Sequence, residues 1–257
     1  MGRLGLNPIA YSRARPFYTG IAKSQGDPYN LRTMIPRIKL AEAETSDGAI
    51  MSLYEHDGEY AIFHAGHELM ISRASASERL LGTQGIAKLK KNQPAHVLIG
   101  GLGLGFTLRS VLDAVGPDVL VDVAELMPEV VHWNREYMYD LNGACLDDPR
   151  VTVLTEDVTY LILDAEPGTY DVILLDIDNG PDGMVAANNT QLYTKAGLHT
   201  IRVALKTGGR AVFWSAGTDK KFEARLAKIG FKVTVVPAKI HEGSRQAPYR
   251  LYVADYR

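Results

Sequence analysis

The sequence predicts an α/β fold: a doubly wound, mostly parallel sheet preceded by a small antiparallel β-meander. From about residue 95 onward, short apolar runs alternate with segments of helical spacing, an order that builds a parallel sheet covered by helices on both faces. Before residue 73, shorter alternating runs are joined by tight turns, among them Asp57-Gly58, a dipeptide typical of hairpins. A chain of 257 residues has room for both parts.

Three segments follow one another along the chain. Residues 1–34 are rich in Gly, Pro, Arg and Tyr without clear periodicity, so an irregular arm and a lid over a site both remain open. Residues 35–73 predict a small antiparallel β domain, and residues 74–257 the large α/β domain. In the small domain, Ile35–Ala41 alternates in part, and three further strands are expected at Ala49–Tyr54, Tyr60–His64 and Glu68–Ser72.

The large domain opens with a helix at Ser75–Lys91, where Ser75 or Ser77 is available as a cap and Pro94 ends the segment. Strands are predicted at His96–Ile99, Val119–Ala124, Val151–Leu154, Tyr170–Leu175, Arg210–Trp214, Phe231–Val236 and Tyr249–Tyr256. Helices are predicted at Phe106–Val115, Pro128–Leu141, Val158–Leu163, Lys195–Leu205 and Lys220–Lys228. A polar loop joins the last two strands, which we expect to pair as an antiparallel hairpin.

Composition bounds the partners and the compartment. Hydrophobic residues make up 46% of the chain and charged residues 23%, and the formal net charge is −2. A strongly basic face for nucleic acid is therefore not expected, and no apolar run approaches the ~20 residues that span a bilayer. The single cysteine, Cys145, has no disulfide partner within the chain and no neighbouring base, which favours a structural role in a reducing cytoplasm.

A glycine-rich loop, Gly100–Gly105, follows the first strand of the large domain and precedes a helix. Glycines allow a sharp turn and close approach of a ligand, and the helix start offers free N–H groups. The G-x-G-x-G spacing of Gly101, Gly103 and Gly105 differs from the dinucleotide fingerprint, which requires a glycine at Phe106. No Gly-Lys-Ser/Thr follows, so a P-loop is excluded. The spacing predicts a nucleoside without a pyrophosphate, and a tight turn without a ligand is the alternative.

Acidic residues follow the next two strands. Ligands of such sheets bind at the carboxyl ends of the strands, so Glu125 is a candidate for hydrogen bonds with both ribose hydroxyls. Glu156 and Asp157 follow the third strand, where an acid can accept a hydrogen bond from an adenine amino group. Asp157 has a second interpretation as the cap of the helix that begins near Val158.

The densest polar cluster follows the fourth strand and begins Asp176-Ile177-Asp178-Asn179. Alternation places Asp176 and Asp178 on the same side of an extended chain. Two close carboxylates favour a cation, so they are candidates for holding an amine substrate and accepting its proton. Magnesium is an alternative, but no His or Cys nearby supports a metal site, and none is expected. Tyr193 either lines the same pocket or packs in the core.

These residues together resemble the spermidine synthase-like branch of the S-adenosylmethionine-dependent transferases, from about Ile35 to the C-terminus. The resemblance is carried by the stretches HVLIGGLGLG, VDVAELMPEVV, DDPRVTVLTED, YDVILLDID and LYTKAGLHTIRVALKTGGRAVF. It implies a Rossmann-like methyltransferase sheet with an antiparallel C-terminal strand pair. It further implies cofactor contacts: the methionine moiety with Gly101, Gly103 and Gly105, the ribose with Glu125, adenine with Asp157, and the transferred group near Asp176.

The chain departs from the aminopropyltransferases of this family at three motifs. The resemblance places Gly103 at the aspartate of their Gly-Gly-Gly-Asp-Gly-Gly loop, which grips the amine of decarboxylated S-adenosylmethionine. Their Tyr-His-Glu polyamine motif appears here as Ala76-Ser77-Glu78, so only Glu78 matches. The segment that begins at Asp176 resembles instead the Asp-Val-Asp of spermidine synthase-like methyltransferases, some of which methylate amines.

These departures favour an S-adenosylmethionine-dependent methyltransferase that acts on a small molecule, with nitrogen as the expected acceptor atom. The first alternative is an aminopropyltransferase that uses decarboxylated S-adenosylmethionine, and the second is a non-catalytic cofactor-binding scaffold. Asp176 or Asp178 is expected to position the amine and take its proton. The expected substrate-binding residues are Glu78, Asp178, Asn179 and Tyr193. Exposed strand edges of the meander and the family resemblance together predict a homodimer.

Overall fold

A computed structural model of the protein describes residues 36–45, 48–90, 92–177 and 189–257. The arm or lid predicted for residues 1–34 lies outside the described residues, as do Asp178 and Asn179. The described residues belong to one compact unit that extends to the C-terminus and contains two sheets. The domain boundary expected at residue 73 therefore remains a prediction. Within the described part, no helix is long and apolar enough to cross a membrane.

The small sheet is an antiparallel meander, as predicted, with four strands in chain order. They are β1 (Ile38–Glu44), β2 (Ile50–His56), β3 (Glu59–His64) and β4 (His67–Ile71). Asp57 (φ 52°) and Gly58 (φ 78°) both take positive φ between β2 and β3, which is the geometry of a type I′ hairpin turn. That geometry explains why the Asp-Gly pair predicted the hairpin.

The large sheet confirms the doubly wound fold. Its strands are β5 (Ala95–Gly100), β6 (Val119–Ala124), β7 (Val151–Leu154), β8 (Tyr170–Leu175), β9 (Leu205–Ser215), β10 (Phe231–Ala238) and β11 (Tyr249–Tyr256). The strand order is β10-β11-β9-β8-β5-β6-β7, with parallel pairs among β5 to β9 and antiparallel pairs on both sides of β11. The direction in which strands are added reverses at β5 and β8, where ligands of such folds bind.

Helices cover both faces of this sheet. In the described chain they are α1 (Ala76–Ile86), α2 (Phe106–Leu112), α3 (Pro128–Glu136), α4 (Val158–Asp164), α5 (Asn189–Leu192), α6 (Lys195–Ala204) and α7 (Lys220–Ile229). Successive residues of β5 face opposite apolar layers, Val97 and Ile99 in one and Leu98 in the other, and all three are fully buried. Burial on both faces explains why the central strands are continuous apolar runs.

The observed elements differ from the predicted ones mainly at their ends. Helix α1 ends before Lys91 because its buried face ends at Ile86. Helix α3 ends at Glu136, after which the chain turns and brings Asn142 beneath the glycine loop. Strand β9 begins earlier than predicted, because Leu205 pairs with Tyr170 before the register of the ladder shifts.

Close packing of α1 against the large sheet positions the site. Gly82 and Gly85 lie on the buried face of α1. A Cβ on Gly82 would lie 2.9 Å from the carbonyl oxygen of Thr107, and a Cβ on Gly85 would collide with the side chain of Leu174. The missing side chains let α1 approach α2 and β8 closely. This approach brings Glu78, in the first turn of α1, to the end of β8.

Candidate functional site

A cavity of about 400 Å³ opens at the carboxyl ends of β5, β6, β7 and β8. Residues that follow these strands form one side, and β4 with the first turn of α1 forms the other. The predicted site residues that line it are Glu78, Gly101, Gly103, Glu125, Glu156, Asp157 and Asp176. The cavity therefore lies where ligands of doubly wound sheets bind, and it gathers residues that are far apart in sequence.

The glycine loop owes its path to three residues with positive φ: Gly101 (93°), Gly103 (51°) and Gly105 (79°). A Cβ on Gly101 would lie 2.5 Å from the carbonyl oxygen of Asp176, so only glycine lets the loop pass the end of β8. Gly100 and Gly105 do not line the cavity and instead allow close packing. A Cβ on Gly100 would meet the side chain of Leu175, so the structure gives this glycine a packing role. The contact of the four glycines with the cofactor remains a prediction.

Two buried asparagines, which the sequence analysis missed, hold the loop from beneath. Asn134 of α3 donates from Nδ2 to the carbonyl oxygens of Gly103 (2.8 Å) and Val130 (2.9 Å). Asn142 donates from Nδ2 to the carbonyl oxygen of Leu104 at 2.7 Å. Both side chains are almost fully buried, with exposed fractions of 1% and 3%. The one sequence signal was Asn134 itself, a polar residue on the apolar face of a predicted helix.

Glu125 is buried at the end of β6 and ties the loop to the sheet. Its Oε2 accepts hydrogen bonds from the backbone N–H groups of Leu102 (3.0 Å) and Gly103 (3.5 Å). Its Oε1 accepts one from the N–H of Met127 at 2.9 Å. A carboxylate that lines the cavity is suited to accept hydrogen bonds from ribose hydroxyls. Glu125 therefore organises the loop and faces the cavity at the same time.

Glu156 and Asp157 line the cavity after β7. Asp157 caps α4, since its Oδ1 accepts a hydrogen bond of 2.8 Å from the N–H of Thr159. The residue that caps α4 therefore also faces the cavity, and its contact with adenine remains a prediction. Glu156 is exposed beside it.

Asp176 and Glu78 form an acidic pair between β8 and α1. Burial, and secondarily the charge of Glu78, raise the pKa of Asp176 to about 7, although Thr107 Oγ1 donates to Asp176 Oδ2 at 3.1 Å. Burial likewise raises the pKa of Glu78, against a hydrogen bond of 2.6 Å from the Ser77 hydroxyl. Two carboxylates whose ionisation is disfavoured in this way are suited to hold a cation and to exchange a proton near neutral pH.

Aromatic residues that sequence reasoning did not assign to the site complete the wall beside this pair. Trp214 and Tyr249 both line the cavity, and their ring centroids lie 4.8 Å apart. Burial, together with the charge of Glu78, raises the pKa of Tyr249, which therefore stays a neutral phenol. These residues come from β9 and β11, whose nearness to α1 is a property of the sheet order.

Tyr193, one of the predicted substrate-binding residues, is buried in the core. Its side chain is 2% exposed and packs against Phe222, with ring centroids 5.4 Å apart, and against Phe213 at 6.2 Å. It does not line the cavity bounded by the described residues. The packed-core interpretation therefore describes this tyrosine.

The described lining of the cavity carries charge of one sign. Six carboxylate residues line it, which are Glu68, Glu78, Glu125, Glu156, Asp157 and Asp176. No Lys, Arg or His side chain is among the described residues that line it. Within the same described part, no group of three or more His, Cys, Asp or Glu side chains is placed to hold a metal ion. A cavity with this charge favours a cationic organic ligand.

A glycine loop at the switch point of a doubly wound sheet, followed by strand-end carboxylates, is the arrangement of a nucleoside-binding α/β protein. Residues 80–227 match the family model described as the spermine/spermidine synthase domain. The match covers more than half of the chain, which therefore belongs to this family.

The relatives of this chain carry two kinds of name. Polyamine aminopropyltransferase 2 of Pseudomonas aeruginosa is 32% identical over 191 residues, which cover 71% of this chain and 46% of the relative. Putrescine N-methyltransferase 1 of Nicotiana tabacum is 32% identical over 116 residues, which cover 45% of this chain and 29% of the relative. The chain spans about half the length of the first curated relatives that it matches.

Solved structures support the fold. The spermidine synthase from Thermotoga maritima matches with a TM-score of 0.63 and 19% identity, over 85% of this chain and 73% of that chain. At this level of identity the likeness establishes the architecture alone.

Proposed function

We propose that this chain is an aminopropyltransferase, which transfers the aminopropyl group of decarboxylated S-adenosylmethionine to a small amine. The observation that carries the proposal is the cavity with six carboxylates and no basic side chain among its described lining residues. Membership of the spermine/spermidine synthase domain family and the similarity to polyamine aminopropyltransferases support it. This function replaces methyl transfer, the first expectation from the sequence, as the leading candidate.

The charge of the cavity bears on the choice of donor. S-adenosylmethionine carries a sulfonium, an ammonium and a carboxylate, whereas its decarboxylated form carries only the two positive groups. A ligand carboxylate placed among six carboxylates has no cationic side chain in the described lining to offset the repulsion. The decarboxylated donor brings two positive charges and no negative one. The summed charge of the six carboxylates therefore favours the decarboxylated donor, although the glycine loop itself contains no acid.

Each donor group has a candidate partner. Glu125, which lines the cavity at the end of β6, accepts from the ribose hydroxyls, and Glu156 or Asp157 accepts from the adenine amino group. Gly101 and Gly103 give the chain a close path around the sulfonium end. The acceptor amine lies beside Asp176 and Glu78, against Trp214 and Tyr249. Asp178 and Asn179 follow Asp176 directly and remain proposed substrate residues.

The transfer is a displacement at carbon. The nitrogen lone pair of the acceptor attacks the aminopropyl carbon bonded to sulfur, and the C–S bond breaks with its electron pair on sulfur. Methylthioadenosine leaves, and the new secondary ammonium loses a proton. An ammonium has no lone pair, so the acceptor must be deprotonated before attack. Asp176, whose pKa is about 7, is the proposed acceptor of that proton above neutral pH.

Methyl transfer from intact S-adenosylmethionine is the second candidate. The similarity to putrescine N-methyltransferase 1 favours it, as does the absence of an acidic residue from Gly100–Gly105. Its product from the donor is S-adenosylhomocysteine instead of methylthioadenosine. A homodimeric assembly and a cytoplasmic location also remain predictions from the sequence.

The experiment incubates the full chain with each donor in turn and a panel of diamines and monoamines, and identifies both products by mass spectrometry. We expect methylthioadenosine and an aminopropylated amine from the decarboxylated donor only. Asp176→Asn is the matched control, since it keeps the size of the side chain and removes the proposed proton acceptor. Methylated amine with S-adenosylhomocysteine would replace the first proposal by the second, and turnover of neither donor would reject both.

A further inference from the structure

Strand β4 forms the wall of the cavity that faces the glycine loop. Four consecutive residues of this strand, Glu68, Leu69, Met70 and Ile71, line the cavity. A regular strand would direct alternate side chains away from it. The ladder with β3 shifts register here, because Ile62 pairs with Met70 whereas Phe63 pairs with Glu68. The extra residue redirects the side chains, as β-bulges beside functional sites do.

The side chain of Met70 shows that β4 lies next to the glycine loop. A Cβ on Gly103 would lie 2.9 Å from the sulfur of Met70, so the Met70 side chain occupies the space beside Gly103. Residues 100–105 read Gly-Gly-Leu-Gly-Leu-Gly and contain no acid. Glu68, two residues from Met70 on the same bulged strand, brings a carboxylate to this side of the cavity.

Glu68 differs in its hydrogen bonds from four of the other acids that line the cavity. Glu125 accepts from loop N–H groups, Asp157 caps α4, Asp176 accepts from Thr107, and Glu78 accepts from Ser77. Glu68 is exposed and has no ion pair or hydrogen bond with its side chain among the described residues. Glu156, which is also exposed, lines the cavity after β7, at the proposed adenine end.

We infer that Glu68 pairs with the terminal ammonium of the decarboxylated donor and so determines specificity for the aminopropyl group. The inference rests on the proposed function. The glycine loop of this chain contains no acid that could contact the ammonium, so the inference assigns this contact to the small sheet. Binding of the donor between β4 and the loop removes water from the pair, which strengthens a charge-assisted hydrogen bond.

The test compares two ligands that differ in the aminopropyl group. Decarboxylated S-adenosylmethionine carries the ammonium, and the dimethylsulfonium analogue of methylthioadenosine has the same adenosine and the same sulfonium charge with a methyl group in place of the aminopropyl group. Calorimetry of the full chain gives both dissociation constants for wild type and Glu68→Gln. We expect about tenfold weaker binding of the decarboxylated donor to Glu68→Gln. Binding of the dimethylsulfonium analogue is expected to stay within about twofold of wild type.

Glu59→Gln is the matched control, because Glu59 is on the neighbouring strand β3, pairs with Arg73 on the surface and does not line the cavity. It should leave both constants unchanged. Equal losses for both ligands in Glu68→Gln, or no loss for either, would overturn the role of Glu68 while the proposed function stands. Failure of wild type to bind either ligand would overturn the proposed function itself.

Discussion

Asp176→Asn separates the chemistry of the site from the stability of the fold. The Asp176 carboxylate ionises in a buried position beside Glu78, and its pKa rises from an ordinary 3.8 to about 7. The folded state therefore binds this proton more tightly than the unfolded chain does. A raised pKa means that the contribution to stability is complete below the unfolded value and is lost as pH rises through the folded value. Asparagine, which stays neutral, has no such loss.

The magnitude follows from the rise of the Asp176 pKa from 3.8 to about 7. At about 1.4 kcal/mol per pH unit, ionisation of Asp176 costs wild type about 4 kcal/mol of unfolding free energy by pH 8. This is the most that Asp176→Asn can gain, because the buried amide must also be desolvated. Between pH 5 and pH 7 the free energy of unfolding of wild type should fall relative to Asp176→Asn by about 1.4 kcal/mol per pH unit. The Asn amide can still accept from Thr107, so the fold should tolerate the change.

The assay is urea unfolding of both proteins at pH 5, 6, 7 and 8, together with turnover at pH 8. We expect Asp176→Asn to gain stability as pH rises while it loses catalytic rate. Asp118→Asn, an exposed site on the loop before β6, is the control and should show a constant difference from wild type. A difference between wild type and Asp176→Asn that stays flat from pH 5 to pH 8 would refute the buried, ionising carboxylate.

Three further predictions concern the loop and the proton. The ratio kcat/KM should rise with pH through about 7 as Asp176 ionises. This ascending limb of the pH profile should keep its position when an acceptor amine of lower pKa is used, and a limb that moves with the amine would argue against Asp176. Asn142→Ala removes the hydrogen bond to the Leu104 carbonyl oxygen, so it should lower the free energy of unfolding in urea by about 1–3 kcal/mol and raise the KM for the donor. Unchanged stability and KM would contradict the support of the loop by Asn142. Gly101→Ala places a Cβ against the Asp176 carbonyl oxygen at a residue with positive φ, so it should destabilise the fold by about 1–3 kcal/mol. It should also abolish donor binding in calorimetry, whereas wild-type affinity would show that the loop can move.

The positions of the loop and of the strand-end acids could be predicted from the sequence. Five βα alternations fix the carboxyl edge of a parallel sheet, so residues directly after each strand converge there. Glu125 and Asp176 lie in the cavity for this reason. The position of Tyr193 could not be predicted, because it follows a segment whose path the sequence does not determine. Its ring packs in the core against Phe222 of α7 and Phe213 of β9.

The contribution of the small sheet could not be predicted. Glu68 and Met70 reach the cavity through a bulge in β4, and a bulge depends on pairing with β3 rather than on local sequence. The asparagines beneath the loop depend on where α3 ends. The sequence favoured intact S-adenosylmethionine through three motif departures, at Gly103, at Ala76-Ser77-Glu78 and at the segment that begins with Asp176. The total charge of the cavity could not be predicted, because it is a sum over several elements that only the folded chain brings together.

Competition between the two donors tests the central claim most directly. The full chain receives equal concentrations of S-adenosylmethionine and its decarboxylated form with one accepted amine, and the thionucleoside products are quantified together. We predict methylthioadenosine in at least about tenfold excess over S-adenosylhomocysteine, the ratio that about 1.4 kcal/mol of charge discrimination gives. An excess of S-adenosylhomocysteine would contradict the assignment of aminopropyl transfer to this acid-lined cavity.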